Sequence, residues 1–188
     1  PTLLSKLFNL MLDKGKVPAS FGLSYTIPLL KGNLVNSSKS LSVKDFRGIS
    51  ISSAISKVFE NCILRRYGSF LSTAHNQFGF KKSLSCSHVI YSMRQTVNKL
   101  TQSGCTVNLC ALDMCKAFDK MSHFGCYIKL MERNVPSGLL SVLEHWFSIC
   151  VTCVRWESSV SHFVQLICGV RQGGVLSPYF FAIYIDDV

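Results

Sequence analysis

The 188-residue chain is 48% hydrophobic with a mean hydropathy of +0.28, which excludes a disordered chain and allows one real core or two small lobes sharing one. Only 16% of its residues are charged, yet 20 Lys and Arg outweigh 10 Asp and Glu, for a net charge of +10. Such a surplus suits a polyanionic partner, nucleic acid first and an anionic membrane surface second, and plain solubility accounts for it equally well.

The longest uncharged apolar stretches, 158–170 and 173–185, fall short of the roughly 20 residues a bilayer needs. No basic segment followed by an apolar one opens the chain, so nothing predicts secretion and an intracellular protein is expected. The opening Pro1 and the apolar helical pattern that runs to the last residues read as cut ends.

Leu3, Leu4, Leu7, Phe8 and Met11 recur at helical spacing, and Lys14-Gly15 supplies a terminal cation and a C′ glycine. Ser24 to Leu30 reads as a strand entering a loop rich in Ser and Asn, Asn33 to Ser42. Ile55, Val58, Phe59, Cys62 and Ile63 predict one face of a second helix, with Lys57, Arg65 and Arg66 around it. Val89, Ile90, Met93, Val97 and Leu100 predict a third, closed by Ser103-Gly104. The short apolar run Val107 to Leu112 predicts a strand buried on both faces. Two further helices are expected over 123–133 and 136–148. Strand-like runs over 150–156 and 160–167 should then meet in a hairpin at Glu157-Ser158-Ser159. Helices beside a mixed sheet predict an α/β or α+β class.

The nine cysteines are odd in number, and Cys62, Cys105, Cys110, Cys126 and Cys168 sit singly in apolar runs. Cys150 and Cys153 form a C-x-x-C, but no second pair or His partner stands at zinc spacing. Reduced, buried cysteines are expected.

Two segments carry chemistry. In Ala111-Leu-Asp-Met-Cys-Lys-Ala-Phe-Asp119, a carboxylate at the end of a buried strand would be held rigidly at a sheet edge, where a divalent cation can bind. Taken alone, Asp113 is an ordinary turn or helix-cap residue. In Gly169-Val-Arg-Gln-Gly-Gly-Val-Leu-Ser-Pro178, glycines let backbone approach a ligand, and Ser177-Pro178 reads as N-cap plus first helical residue. Alone, this is only a loop before a helix.

In this order the two segments resemble motifs A and B of the reverse transcriptases of LINE-type (non-LTR) retrotransposons. Ile27-Pro-Leu-Leu-Lys31, Asp45-Phe-Arg-Gly-Ile-Ser50, Ile55-Ser-Lys-Val-Phe-Glu60 and Gln77-Phe-Gly-Phe-Lys81 resemble that family's segments upstream of motif A. The resemblance implies an α+β right-hand polymerase fold, with a fingers-like segment and connecting helices over 1–104 and an incomplete palm over 105–188. It implies RNA-directed DNA synthesis with two Mg²⁺ ions, an RNA template, a DNA primer and deoxynucleoside triphosphates, with no membrane partner and a nuclear site of action. Asp113 would be the catalytic carboxylate and a metal ligand, and the Met114 carbonyl would reach the second ion. Phe118 would pack under the sugar and reject a 2′-hydroxyl, and Gln172 and Gly173 would line the nucleotide pocket. Lys31 and Arg47 would meet the triphosphate or template on the fingers. Asp119 and His123 match family positions in structural roles.

Two departures stand out. Ser83 occupies the place of a usual glycine, which puts the local turn geometry in question. The family's Tyr-x-Asp-Asp turn between strands, its motif C, is expected beyond this chain, together with the thumb, so the isolated chain should be inactive. Tyr184-Ile-Asp-Asp187 spells that signature, but Phe180, Phe181 and Tyr184 continue a helical apolar face from Pro178 with no breaker before Val188. Residues 178–187 are therefore expected to be mostly helical, with both carboxylates out of metal-bridging reach of Asp113. The competing reading is a relic of such a domain that binds nucleic acid without catalysis.

Overall fold

The computed structural model describes residues 2–32, 40–81 and 83–187. Helix α1 (Thr2–Lys14) ends at Gly15, whose φ of +63° is the left-handed cap conformation that glycine adopts without strain. The short α2 (Ala19–Gly22) feeds β1 (Leu23–Leu30), and β2 (Phe46–Ser52) returns antiparallel with Ile27 opposite Ile49. Five helices follow: α3 (Ala54–Tyr67), α4 (Cys86–Gln102), the single-turn α5 (Ala117–Lys120), α6 (His123–Glu132) and α7 (Ser137–Ser148). Strand β3 (Val151–Trp156) then runs parallel to β1, with Tyr25 opposite Cys153. Two short strands, β4 (Ser159–Val160) and β5 (Val164–Gln165), pair antiparallel with β3, and α8 (Ser177–Tyr184) follows. The result is an α+β chain with one mixed sheet of order β2-β1-β3-β4, β5 also lying on β3.

Aromatic packing ties distant helices into one core. Phe59 of α3 lies 4.9 Å from Phe8 of α1, 6.1 Å from Phe21 of α2 and 5.8 Å from Trp146 of α7, between ring centroids. The Trp146 indole N–H donates to the Phe21 carbonyl at 2.9 Å, so its one polar atom is satisfied. With the parallel β1–β3 pairing, this makes residues before and after position 104 share both a sheet and a core.

Local pattern and burial part company in four places. Helix α3 forms as expected, but its buried face is Ser56, Phe59, Glu60 and Ile63, while Ile55 and Val58 remain 46% exposed and Cys62 is exposed. Two polar residues can turn inward because each has a partner: the Ser56 hydroxyl donates to the Ser53 carbonyl, and Glu60 accepts from the Leu176 N–H. Helix α4 also forms, capped through Ser85 and His88, yet none of its residues is buried.

Val107 to Leu112 is not a strand. It is irregular, with Leu109 67% and Leu112 85% exposed. A central strand exists only through ladders on its neighbours, and no described strand pairs with this one. Asp113 is therefore not held at a sheet edge. The same exposure undoes the expectation of buried cysteines: Cys126, Cys150 and Cys153 are buried, whereas Cys62, Cys86, Cys105, Cys110, Cys115 and Cys168 are exposed.

Smaller differences follow the same logic. The second hairpin strand breaks in two where the Ser161 side chain takes the Val154 N–H at 2.9 Å, replacing a ladder acceptor. Ser83, where the resemblance leads one to expect glycine, has a left-handed φ of +65°. Of the loop expected over Asn33 to Ser42, residues 33–39 lie outside the described residues. No helix among the described residues is long and apolar enough to cross a membrane.

Phe59→Ala should destabilise the chain by about 3–5 kcal/mol, because it empties the centre of the aromatic core. Val43→Ala, at a side chain 91% exposed, should stay within about 0.5 kcal/mol. Urea unfolding of both variants checks the pair.

Candidate active site

The segment after Asp113 turns sharply. Lys116 adopts a left-handed φ of +54°, and its carbonyl accepts from the Asp119 and Lys120 N–H groups to close α5. This turn docks directly on the glycine loop before α8. The Gly169 N–H donates to the Met121 carbonyl at 2.7 Å, and the Val170 N–H to the Phe118 carbonyl at 2.8 Å. Gly169 has φ +79°, and a Cβ there would stand 2.7 Å from both the Phe118 and Asp119 carbonyl oxygens. His123 completes the joint, its Nε2 2.7 Å from the Gly169 carbonyl oxygen and its ring stacked on Phe147. That matches the structural role expected for it.

The loop then crosses to the sheet. The Ser50 N–H donates to the Gln172 carbonyl at 2.7 Å, and a Cβ on Gly173 (φ +127°) would lie 2.5 Å from the Ser50 carbonyl oxygen. Between loop, turn and sheet lies a cleft of about 320 Å³. Thr26, Ser50 and Thr152 supply hydroxyls from β1, β2 and β3, and Asp119, Cys168 and Gln172 face them from the turn and loop. Thr26 and Thr152 hydroxyls bond each other at 2.9 Å, so this wall is polar and ordered.

The residues singled out in the sequence are only partly gathered here. Gln172 and Asp119 line the cleft, and Gly173 sits beside it against Ser50. Phe118 is half-buried in an aromatic group with Phe181 at 5.0 Å and Phe80 at 5.8 Å. Asp113 and Met114 lie on the exposed irregular backbone and do not line the cleft. Lys31 and Arg47 are exposed at the far end of the β1–β2 hairpin, with the Lys31 ammonium on the Lys44 carbonyl at 2.6 Å.

Helix α8 ends at Tyr184, earlier than its apolar pattern suggests, and starts with Leu176 as its cap rather than Ser177. Acidic residues are disfavoured at a helix C-terminus, and here Asp186 and Asp187 leave the helix for basic partners at the C-terminal end of α6, Lys129 within it and Arg133 just after it. Asp186 accepts from Arg133 at 2.6 Å and from the Ala74 N–H at 2.9 Å; Asp187 accepts from Lys129 at 2.6 Å. The Lys129 ammonium holds the Asp187 carboxyl below the usual range. Among the described residues no three His, Cys, Asp or Glu side chains converge to hold a metal, so the residues present do not by themselves fit a two-ion site.

Two charged residues inside the quoted motifs drew no role from sequence. Glu60 is 6% exposed and accepts from the Leu176 N–H at 2.8 Å. Arg171 donates to the Phe21 and Gly22 carbonyls at 3.1 and 2.8 Å and to Cys150 Sγ. The available signal was Glu60 itself, a charge one helical turn from Ser56 and beside Phe59. Burial pushes the Glu60 carboxyl up, against the pull of the Leu176 and Val175 N–H groups and Arg171. A raised folded pKa means that this contribution to stability is full below the unfolded value near 4.5 and is lost as pH rises through the folded one. Glu60→Gln, which keeps an acceptor, should therefore gain stability relative to the parent as pH rises from 4.5 towards 7, measured by urea midpoints; a pH-independent difference would contradict this.

Comparison with known proteins bears on the same residues. Residues 32–188 match the family model described as reverse transcriptase (RNA-dependent DNA polymerase). The chain is 29% identical over 147 residues to the probable RNA-directed DNA polymerase from transposon X-element of Drosophila melanogaster, covering 76% of this chain and 16% of that protein. It is 24% identical to the Pol polyprotein of the type-2 retrotransposable element R2DM of the same fly, over 98% of this chain and 17% of the relative. To the RNA-directed DNA polymerase from mobile element jockey of Drosophila funebris it is 25% identical, over 97% of this chain and 20% of the relative. The chain thus spans a fifth or less of the length of these relatives, all named as polymerases or polyproteins of mobile elements. The joint between the turn at Phe118–Met121 and the loop at Gly169–Gly173 is built from two of the motifs that carried the resemblance, and the chain belongs to the reverse transcriptase family.

Proposed function

We propose that this chain is the fingers-like segment (1–104) and incomplete palm (105–188) of a right-hand, RNA-directed DNA polymerase from a LINE-type retrotransposon. The observation that carries the reading is the docking of the motif A turn on the motif B loop through Gly169 and Val170, which opens a polar cleft against the sheet. In the proposed reaction a primer 3′-hydroxyl attacks the α-phosphate of a deoxynucleoside triphosphate, forming the new ester and releasing pyrophosphate. The backbone at Gln172 and Gly173, and the hydroxyls of Thr26, Ser50 and Thr152, would orient the incoming nucleotide. Phe118, fixed from behind by Phe181, would limit the room at the sugar's 2′ position. Lys31 and Arg47 would meet phosphates from the hairpin. Two Mg²⁺ ions would neutralise phosphate charge, with Asp113 and the Met114 carbonyl as part of their shell and the other ligands supplied by polypeptide beyond these residues. RNA template, DNA primer and a nuclear site of action follow from the same family reading.

The alternative, a relic that binds nucleic acid without catalysis, differs in what a complete polymerase carrying this segment does. There, Phe118→Ala should relax discrimination against ribonucleotides about tenfold or more, as expected when a pocket stops excluding one small group. Single-nucleotide incorporation kinetics measure it; unchanged discrimination at retained activity returns Phe118 to a packing role. The 188-residue chain by itself should bind primed RNA weakly, with affinity falling as salt rises, and should not extend it.

A further inference from the structure

Opposite charges hold the two ends of the glycine loop. At its start, the Arg171 guanidinium forks onto the Phe21 and Gly22 carbonyls, which end α2. At its end, the Glu60 carboxylate receives the Leu176 N–H, where α8 begins, and lies within 3.4 Å of where a Cβ on Gly174 would stand. Between these points the chain passes over Ser50, with the Gln172 carbonyl on the Ser50 N–H. Both charges line one small cavity of about 40 Å³ with Trp146, Phe147 and Leu176.

We propose that Glu60 and Arg171 are positioning residues that pin the Gly169–Leu176 loop at both ends and thereby set Gln172 and Gly173 against the cleft. This rests on the reading of Gln172 and Gly173 as nucleotide-side residues. Stability alone gives little reason for either charge. Burial works against the ionised form of Glu60, and Arg171 Nε is buried without a hydrogen-bond partner. What the charges add is direction. A carboxylate holds a backbone N–H more tightly than a neutral acceptor does, and it suits the positive N-terminal end of α8. A guanidinium can span two carbonyls that a lysine ammonium cannot hold in one fixed plane.

Native-state hydrogen exchange on the 188-residue chain, read by mass spectrometry, tests the pin with Glu60→Ala, which removes the acceptor for the Leu176 N–H, and Arg171→Lys. Peptides covering 169–176 and 46–52 should exchange about five- to tenfold faster in both variants, while a peptide over α7 keeps the parent rate. Unchanged loop exchange in both variants overturns the proposal. So does faster exchange of loop and α7 by one common factor, because that reports global destabilisation. A second arm separates the pin from the reading beneath it. In a polymerase carrying this segment, the same variants should raise KM for deoxynucleotides several-fold at nearly constant kcat. A loosened loop with an unchanged KM supports the pin and counts against Gln172 and Gly173 as nucleotide-side residues.

Discussion

Two segments far apart in the chain are held together where the Gly169 N–H reaches the Met121 carbonyl and the Val170 N–H reaches the Phe118 carbonyl, at 2.7 and 2.8 Å. The contact leaves no room for a side chain, since a Cβ on Gly169 would lie 2.7 Å from two carbonyl oxygens, and its φ of +79° is one that other residues rarely adopt. This joint places the turn and the loop that border the cleft opposite the sheet hydroxyls of Thr26, Ser50 and Thr152. Phe118 and Asp119 are set by the turn, Gln172 and Gly173 by the loop that leaves it, and His123 closes the seam from α6. Beneath it, the aromatic core around Phe59 fixes α3 and α7, which carry Glu60 and Trp146.

Polar groups do the aiming and apolar groups the holding. The core gives rigid helices, and a few satisfied polar contacts inside it decide how the loop before α8 runs: Glu60 on Leu176, Arg171 on Phe21 and Gly22, Ser50 on Gln172. The acidic pair at Asp186 and Asp187 shows the same economy in a different role. Spelled like a catalytic signature, it ties the end of α8 to Arg133, Lys129 and the Ala74 backbone.

Helices were legible in the sequence because their periodicity is local. The patterns around Phe8 and Phe59 located α1 and α3, the helices expected over 123–133 and 136–148 match α6 and α7 within a residue, and Gly15 marked the end of α1. Strands β1 and β3 were legible as short apolar runs, but not the parallel pairing that joins them. What could not be read was anything decided by a distant partner. Glu60 and Ser56 turn inward only because Leu176 and Ser53 meet them, which no helical wheel reveals. Val107 to Leu112 has the composition of a central strand, yet with no strand among the described residues to complete its ladder it is irregular and exposed. The motif wording pointed to the loop and turn that border the cleft, whereas Thr26 and Thr152 on its sheet wall carried no signal, since isolated hydroxyls on strands are ordinary.

The central claim is that the cleft between the motif A turn, the motif B loop and the sheet receives the nucleotide. Photo-crosslinking with an azido-deoxynucleoside triphosphate, in a polymerase carrying this segment and a bound primer and template, tests it most directly. Labelled peptides should cover residues 117–121 and 166–174, with weaker labelling over β2, and excess unmodified nucleotide should compete them away. Labelling confined to α4 or to the groove between α1 and α3, with none on the Gly169–Gly174 loop, would contradict it.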